Sequence, residues 1–399
     1  MSSILKPFRA THFNTKAIKD LSKVVCPPYD VIDQEQLLKL RKKSVNNLSH
    51  ILLADNGDYK KPKILLNEWL QKQIMIEDDK DSLYLYEQEF NIEEKSYNRY
   101  GILSLLKMDK NEIFPHERTL TAPKVDRKKM IKSVEANLSP IFVIAAKSSG
   151  YISEIHKRYC RKTPFLKAAD HEGNLNKLWK IQDKKEINDI CKVLGNSKLV
   201  IADGHHRFEI SYDYFKKNGD KFKGLDYILA YVADCQKGLV VLPTHRVITI
   251  SDNKKIFFEK LEKYFIVKEV AQLNLDKNLK SSVEFCLGIC REGKFYFLKL
   301  KDNVLLNKIT DKSYRKLDTY IFHKVVLPLF NNVGDIEYTH SIEETKKLAN
   351  KNKTGFLLKA VSLDFVFDLA EKGIKMPQKT TYFYPKILSG LAIRRFEKS

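Results

Sequence analysis

The apolar run Leu199-Val200-Ile201-Ala202 gives way across Asp203-Gly204 to a segment in which Phe208, Ser211, Tyr212 and Phe215 recur at helical spacing. A short branched apolar run reads as a buried strand, and an apolar stripe every three or four residues reads as a helix packed on one face. A strand that turns directly into a helix commits the chain to an α/β or α+β class, with a mixed sheet and flanking helices.

The remaining pattern agrees. Leu83 to Tyr86, Tyr100 to Leu106 and Ile141 to Ala146 read as strands, and Tyr227 to Val232 and Leu239 to Leu242 as two more that pair as a hairpin. A helix is expected from Thr121-Ala122-Pro123, with Thr121 as N-cap and Met130, Ile131, Val134 and Leu138 on its apolar face. Phe257, Phe258, Leu261 and Phe265 mark another, and Arg291-Glu292-Gly293 reads as a turn between strands. Near the end, Ser362 caps a helix over Leu363 to Glu371 that Gly373 stops. The domain boundary is placed at 1–250 and 251–399, one continuous domain being the alternative.

With 399 residues, 43% of them apolar, the chain can bury a sizeable core. The opening lacks the apolar centre of a signal peptide, and no run approaches the roughly 20 apolar residues of a membrane span. The expectation is a cytoplasmic protein without membrane partners. A net charge of +21 attracts phosphate of any kind, but the lysines are spread along the chain, so a nucleic-acid footprint is not favoured. The six cysteines are scattered, and their spacing fits neither zinc knuckles nor redox dithiols.

Chemistry concentrates in four places. The first is the turn itself, Asp203-Gly204-His205-His206-Arg207. A helix start exposes N–H groups and a positive dipole end, which suits phosphate. Gly204 permits close backbone approach. Arg207 and one histidine are assigned to phosphate oxygens, His205 to binding and His206 to catalysis, while Asp203 would hold magnesium, orient a histidine or accept a proton. The bland alternative makes Asp203 an ordinary N-cap.

The second is His116-Glu117-Arg118-Thr119, read as a loop after Phe114-Pro115. Glu117 is the candidate general base toward a hydroxyl, with His116 or Arg118 balancing developing charge; a surface loop with a local ion pair is the alternative. Third, Pro243-Thr244-His245-Arg246 interrupts two apolar runs, and His245 and Arg246 are candidate phosphate ligands or strand-end structural groups. Fourth, Met376 to Lys386 offers Lys379, and with less weight Lys386, to a phosphate.

These segments, with Lys6-Pro7-Phe8-Arg9-Ala10 and Pro27-Pro28-Tyr29-Asp30-Val31-Ile32, resemble in order those of a widespread bacterial family, domain of unknown function 1015, related to the ParB/sulfiredoxin-like superfamily. The resemblance implies a ParB/sulfiredoxin-like nucleotide-binding core in which Asp203 to Arg207 meets nucleotide phosphates. Some relatives phosphorylate free serine; others gate DNA clamps or repair oxidised cysteine. No cysteine occupies the turn here, and strand Tyr227 to Val232 follows where a DNA-reading module would stand.

The reading that remains is a nucleotide-dependent phosphotransferase, using ATP or ADP with magnesium on a small hydroxylated metabolite such as serine. The alternatives are a non-catalytic nucleotide-gated module that binds nucleic acid or regulates, and a phosphohydrolase.

Overall fold

The computed structural model describes residues 4–117, 122–146, 150–235, 238–350 and 352–399. Its contacts divide the chain into two compact units, Met1–Val240 with Pro385–Ser399, and Val241–Tyr384. The division falls ahead of residue 250, and the last residues of the chain return to the first unit.

The first unit is built on a nine-stranded mixed sheet. Its strands are β1 (Leu5–Lys6), β2 (Leu83–Ile92), β3 (Lys95–Lys107), β4 (Ile113–Pro115), β5 (Ile141–Ala145), β6 (Leu166–Ala169), β7 (Leu175–Ile181), β8 (Leu199–Asp203) and β9 (Tyr227–Asp234). They lie in the order β4-β8-β5-β9-β3-β2-β7-β6, with β1 also on β3. Helices α1 (Ala122–Val134), α2 (Tyr151–Tyr159), α3 (Lys184–Gly195) and α4 (His205–Asn218) accompany it.

Side-chain alternation gives this sheet two unlike faces. Leu85, Ile102, Val232, Val143 and Ile201 are successive cross-strand partners and form one apolar row. That row packs against Ile152 and Ile155 of α2, Ile190 and Leu194 of α3 and Phe208 of α4. Each such fully buried side chain contributes about 1.5–3 kcal/mol. The opposite face carries Tyr86, Gln88, Arg99, Phe142, Asn176 and Tyr231, all buried. Gly101 belongs to that face because a Cβ there would stand 2.2 Å from the Tyr231 ring.

Three expectations change. Leu239 to Leu242 forms no hairpin with β9, whose two edges are already taken by β3 and β5. Helix α1 stops at Val134, where Glu135 adopts φ 54°, so Leu138 lies outside it. Phe265 opens a strand instead of ending a helix.

The second unit holds a six-stranded antiparallel sheet made of β10 (His245–Ile250), β11 (Phe265–Val270), β12 (Cys286–Arg291), β13 (Lys294–Leu300), β14 (Val333–Thr339) and β15 (Lys353–Leu357). The order is β11-β13-β12-β15-β10-β14. Glu292 and Gly293, both at positive φ, make the tight turn between β12 and β13. Phe257, Phe322, Phe330 and Phe356 centre its core. Helix α5 (Leu363–Glu371) starts where the Ser362 hydroxyl accepts from the Phe365 N–H, and Gly373 follows at φ 67°. No helix among the described residues is long and apolar enough to cross a membrane.

Candidate functional site

The site grows from the end of β8. Its pairing with β5 slips by one residue between Ile201 and Asp203, which aligns Asp203 with Phe142 and turns its carboxylate onto the polar face. Gly204 then takes φ 89°, a left-handed conformation that costs an L-residue about 1–2 kcal/mol. A Cβ there would also stand 3.0 Å from both Arg207 Cζ and Ile141 Cγ2. Helix α4 starts at once, with no side chain capping it, so its first-turn N–H groups face outward from a positive dipole end.

Asp203 is held from two sides. Arg207 Nη2 donates to its Oδ2 at 2.5 Å, and Lys386 Nζ to its Oδ1 at 2.5 Å. Arg207 also donates to the Pro140 carbonyl ahead of β5. Burial by itself would raise the Asp203 pKa, but Lys386 and Arg207 hold the carboxyl well below the usual range.

His116 reaches the same place because β4 runs parallel beside β8, Pro115 opposite Ile201. His116 stands directly after Pro115, the last residue of that strand. His116 is fully buried, bonded to the Ile201 backbone, and its ring meets that of His205 edge-on at 4.6 Å. Burial pushes His116 down to about 4. Burial, and then His116 itself, carry His205 well below its ordinary value. Both shifts favour the neutral imidazole. The buried His205 Nε2 has no hydrogen-bond partner among the described residues. Glu117 and His206 are half-buried, whereas Arg118 and Thr119 lie outside the described residues.

Several contributors had little or no weight in the sequence. Lys386 is the largest change, since the sequence favours Lys379 over it. Tyr29 is half-buried beside the cluster; burial pushes its hydroxyl up to about 12, Asp30 adds to this, and Arg207 and Arg127 oppose it. The Arg127 guanidinium stacks on the Tyr29 ring at 4.4 Å and donates to the Leu52 carbonyl at 2.7 Å. Arg99 is buried on the polar face and donates to Gln88 Oε1 and the Pro385 carbonyl. The available signal for Arg99 was an arginine in a strand that continues as an apolar run.

In the second unit, His245 is buried and its Nδ1 accepts from the Leu358 N–H at 3.3 Å. Burial, then Arg246 and His340, push it down to about 3. Arg246 is fully buried and donates to the Thr244 carbonyl and, at 2.8 Å, to the Lys379 carbonyl. Lys379 is exposed at φ 55°.

A family model described as "Protein of unknown function (DUF1015)" matches residues 5–320. The chain belongs to this family. Among solved structures, the DUF1015 chain is similar to a conserved hypothetical protein from Pyrococcus furiosus at 15% identity, covering 73% of this chain and 95% of that one, with a TM-score of 0.38. It is similar to SbnI with C-terminal truncation from Staphylococcus aureus at 12% identity, with coverages of 73% and 87% and a TM-score of 0.39. A free serine kinase in complex with AMP is similar at 13% identity, with coverages of 73% and 91% and a TM-score of 0.38. Likenesses this loose carry no functional weight. No protein of curated function matches.

A resident magnesium at Asp203 does not fit these residues. Both carboxylate oxygens already accept from cations, and among the described residues no three His, Cys, Asp or Glu side chains gather as metal ligands.

Proposed function

We propose that the first unit binds the phosphates of a nucleotide at the start of α4 and transfers the terminal phosphoryl group to the hydroxyl of a small metabolite such as serine. The observation that carries this reading is the meeting of Arg207 and Lys386 at one carboxylate, beside an uncapped helix N-terminus and two buried histidines. Fixed donors of this kind stabilise the charge spread over a transferring phosphoryl group. A ParB/sulfiredoxin-like core, ATP or ADP as donor, and the cytoplasm as compartment belong to the same reading.

In the transfer, the acceptor oxygen attacks the terminal phosphorus, the bond to the bridging oxygen breaks, and the shortened nucleotide leaves with that electron pair. The acceptor proton passes to Glu117, which follows His116 directly, and His205 or His206 donates to a phosphate oxygen. Lys379 on its exposed turn is assigned to anion binding in the second unit, whereas Arg246 and His245 hold backbone there.

Thermal shift with a nucleotide panel, followed by phosphorus NMR with ATP or ADP and an amino-acid panel, tests the reading. Stabilisation by a nucleotide, lost in Arg207→Ala, and a new phosphomonoester signal, lost in Glu117→Gln, are expected. Equal nucleotide response in wild type and Arg207→Ala sinks it. Phosphate release without an acceptor points instead to a hydrolase.

A further inference from the structure

We infer that Asp203 serves as the counter-ion of a two-cation clamp, Arg207 and Lys386, which the C-terminal segment completes and which grips a phosphate dianion without a protein-held divalent metal. The inference rests on the phosphate site proposed above and concerns which groups touch the ligand.

Charge balance is the first ground. The side chains of Lys386 and Arg207 are each 11% exposed and that of Asp203 is 16% exposed, so the three charges sit largely out of water. Two cations converge on one carboxylate there, and a bound anion would meet both of them. A divalent cation at the same carboxylate would meet two positive neighbours.

The second ground is the effort spent on placing Lys386. Tyr86 Oη donates to Asn176 Oδ1 at 2.6 Å, and Gln88 Nε2 donates to the same oxygen at 3.0 Å and to the Lys386 carbonyl at 3.1 Å. Arg99 donates to Gln88 and to the Pro385 carbonyl, and the Leu388 N–H donates to Tyr86 Oη at 3.4 Å. Four buried polar side chains on one sheet face thus fix the backbone on both sides of Lys386. Apolar residues would fill the same space without the desolvation penalty. What the network achieves is a set position for one ammonium group.

A third observation points to a ligand independently. His205 Nε2 is buried at the first position of a fourteen-residue helix, next to Asp203 and Lys386, and has no partner among the described residues. A phosphate oxygen held between Arg207 and Lys386 supplies one. Asp203 is thereby a positioning residue, and Lys386 a ligand-contacting one.

The test is calorimetric titration of the full chain with inorganic pyrophosphate, in EDTA and again with magnesium, together with a manganese titration of the wild type read by EPR. Expected are binding in EDTA, a loss of roughly ten-fold or more in Lys386→Met and in Arg207→Met, and equal or tighter binding in Asp203→Asn, since a competing anion is gone. Circular dichroism melts establish that each variant folds. If wild type binds pyrophosphate only with magnesium, or binds manganese alone as one tight site, the clamp is overturned while the phosphate site stands. Wild-type affinity in Lys386→Met overturns it as well. If wild type takes no pyrophosphate in either buffer, the phosphate site itself falls. The manganese arm needs no variant, so a misfolded Asp203→Asn still leaves the idea open to refutation.

Discussion

Lys386 Nζ donates to Asp203 Oδ1 at 2.5 Å across 183 residues of sequence. Between them the chain leaves the first unit, builds the second and returns. The strand-to-helix turn is therefore a local structure whose charge state is set from the far end of the chain. Four expectations follow from the contacts around it and from the second unit.

Gly204→Ala places a Cβ at φ 89°, 3.0 Å from Arg207 Cζ and Ile141 Cγ2. The left-handed conformation alone costs about 1–2 kcal/mol, and Arg207 must shift besides. Denaturant unfolding should show at least that loss. A variant as stable as wild type means that the turn relaxes to a negative φ.

Acid sensitivity should trace in part to His116. Its imidazole titrates at about 4 in the fold against an ordinary 6.5, so between those values the unfolded chain holds the extra proton. Stability is fully present above pH 6.5 and falls as pH drops toward 4, by about 3 kcal/mol for this group. His116→Gln should flatten the stability profile over that window. Parallel profiles for the two proteins rule the assignment out.

Arg99→Met strands Gln88 Oε1 and the Pro385 carbonyl on the buried face. Unsatisfied buried acceptors cost about 1–3 kcal/mol each, partly offset by the better burial of methionine. The sharper readout is local. Hydrogen exchange or limited proteolysis should show residues 385–399 opening first, and unchanged protection there argues against the anchoring role of Arg99.

Lys379→Gly separates stability from binding in the second unit. Lys379 sits at φ 55° with its carbonyl bonded to the buried Arg246. Glycine adopts that conformation freely, so the melting temperature should hold or rise, by roughly 1 kcal/mol in stability at most. Phosphate or pyrophosphate affinity should fall if the exposed ammonium binds an anion. Unchanged affinity in a stable variant removes the anion-binding role assigned to Lys379.

Part of this was legible in the residues because it depends on neighbours in sequence. The run Leu199 to Ala202, the glycine and the helical spacing after it define strand, turn and helix from local conformational preference, and Asp203 and Arg207 meet across that turn as an i,i+4 pair. Ser362 before Leu363–Glu371 and Glu292-Gly293 between two strands were readable for the same reason. The helix start and the candidate histidines came from such signals.

The rest depends on which strands pair, and pairing is decided by the burial of whole faces and not by any local run. The parallel seat of β4 against β8 buried His116 against His205, and that burial favours its neutral form. The two occupied edges of β9 excluded the expected hairpin. Arg99 and Gln88 look like strand residues until the polar face is assembled and residues 385–388 lie across it. By itself the sequence determined that a strand turns directly into a helix at Asp203-Gly204-His205. Only the tertiary structure decided that Lys386 faces that turn, because a contact across the sheet is fixed by packing and carries no signature in the segment that makes it.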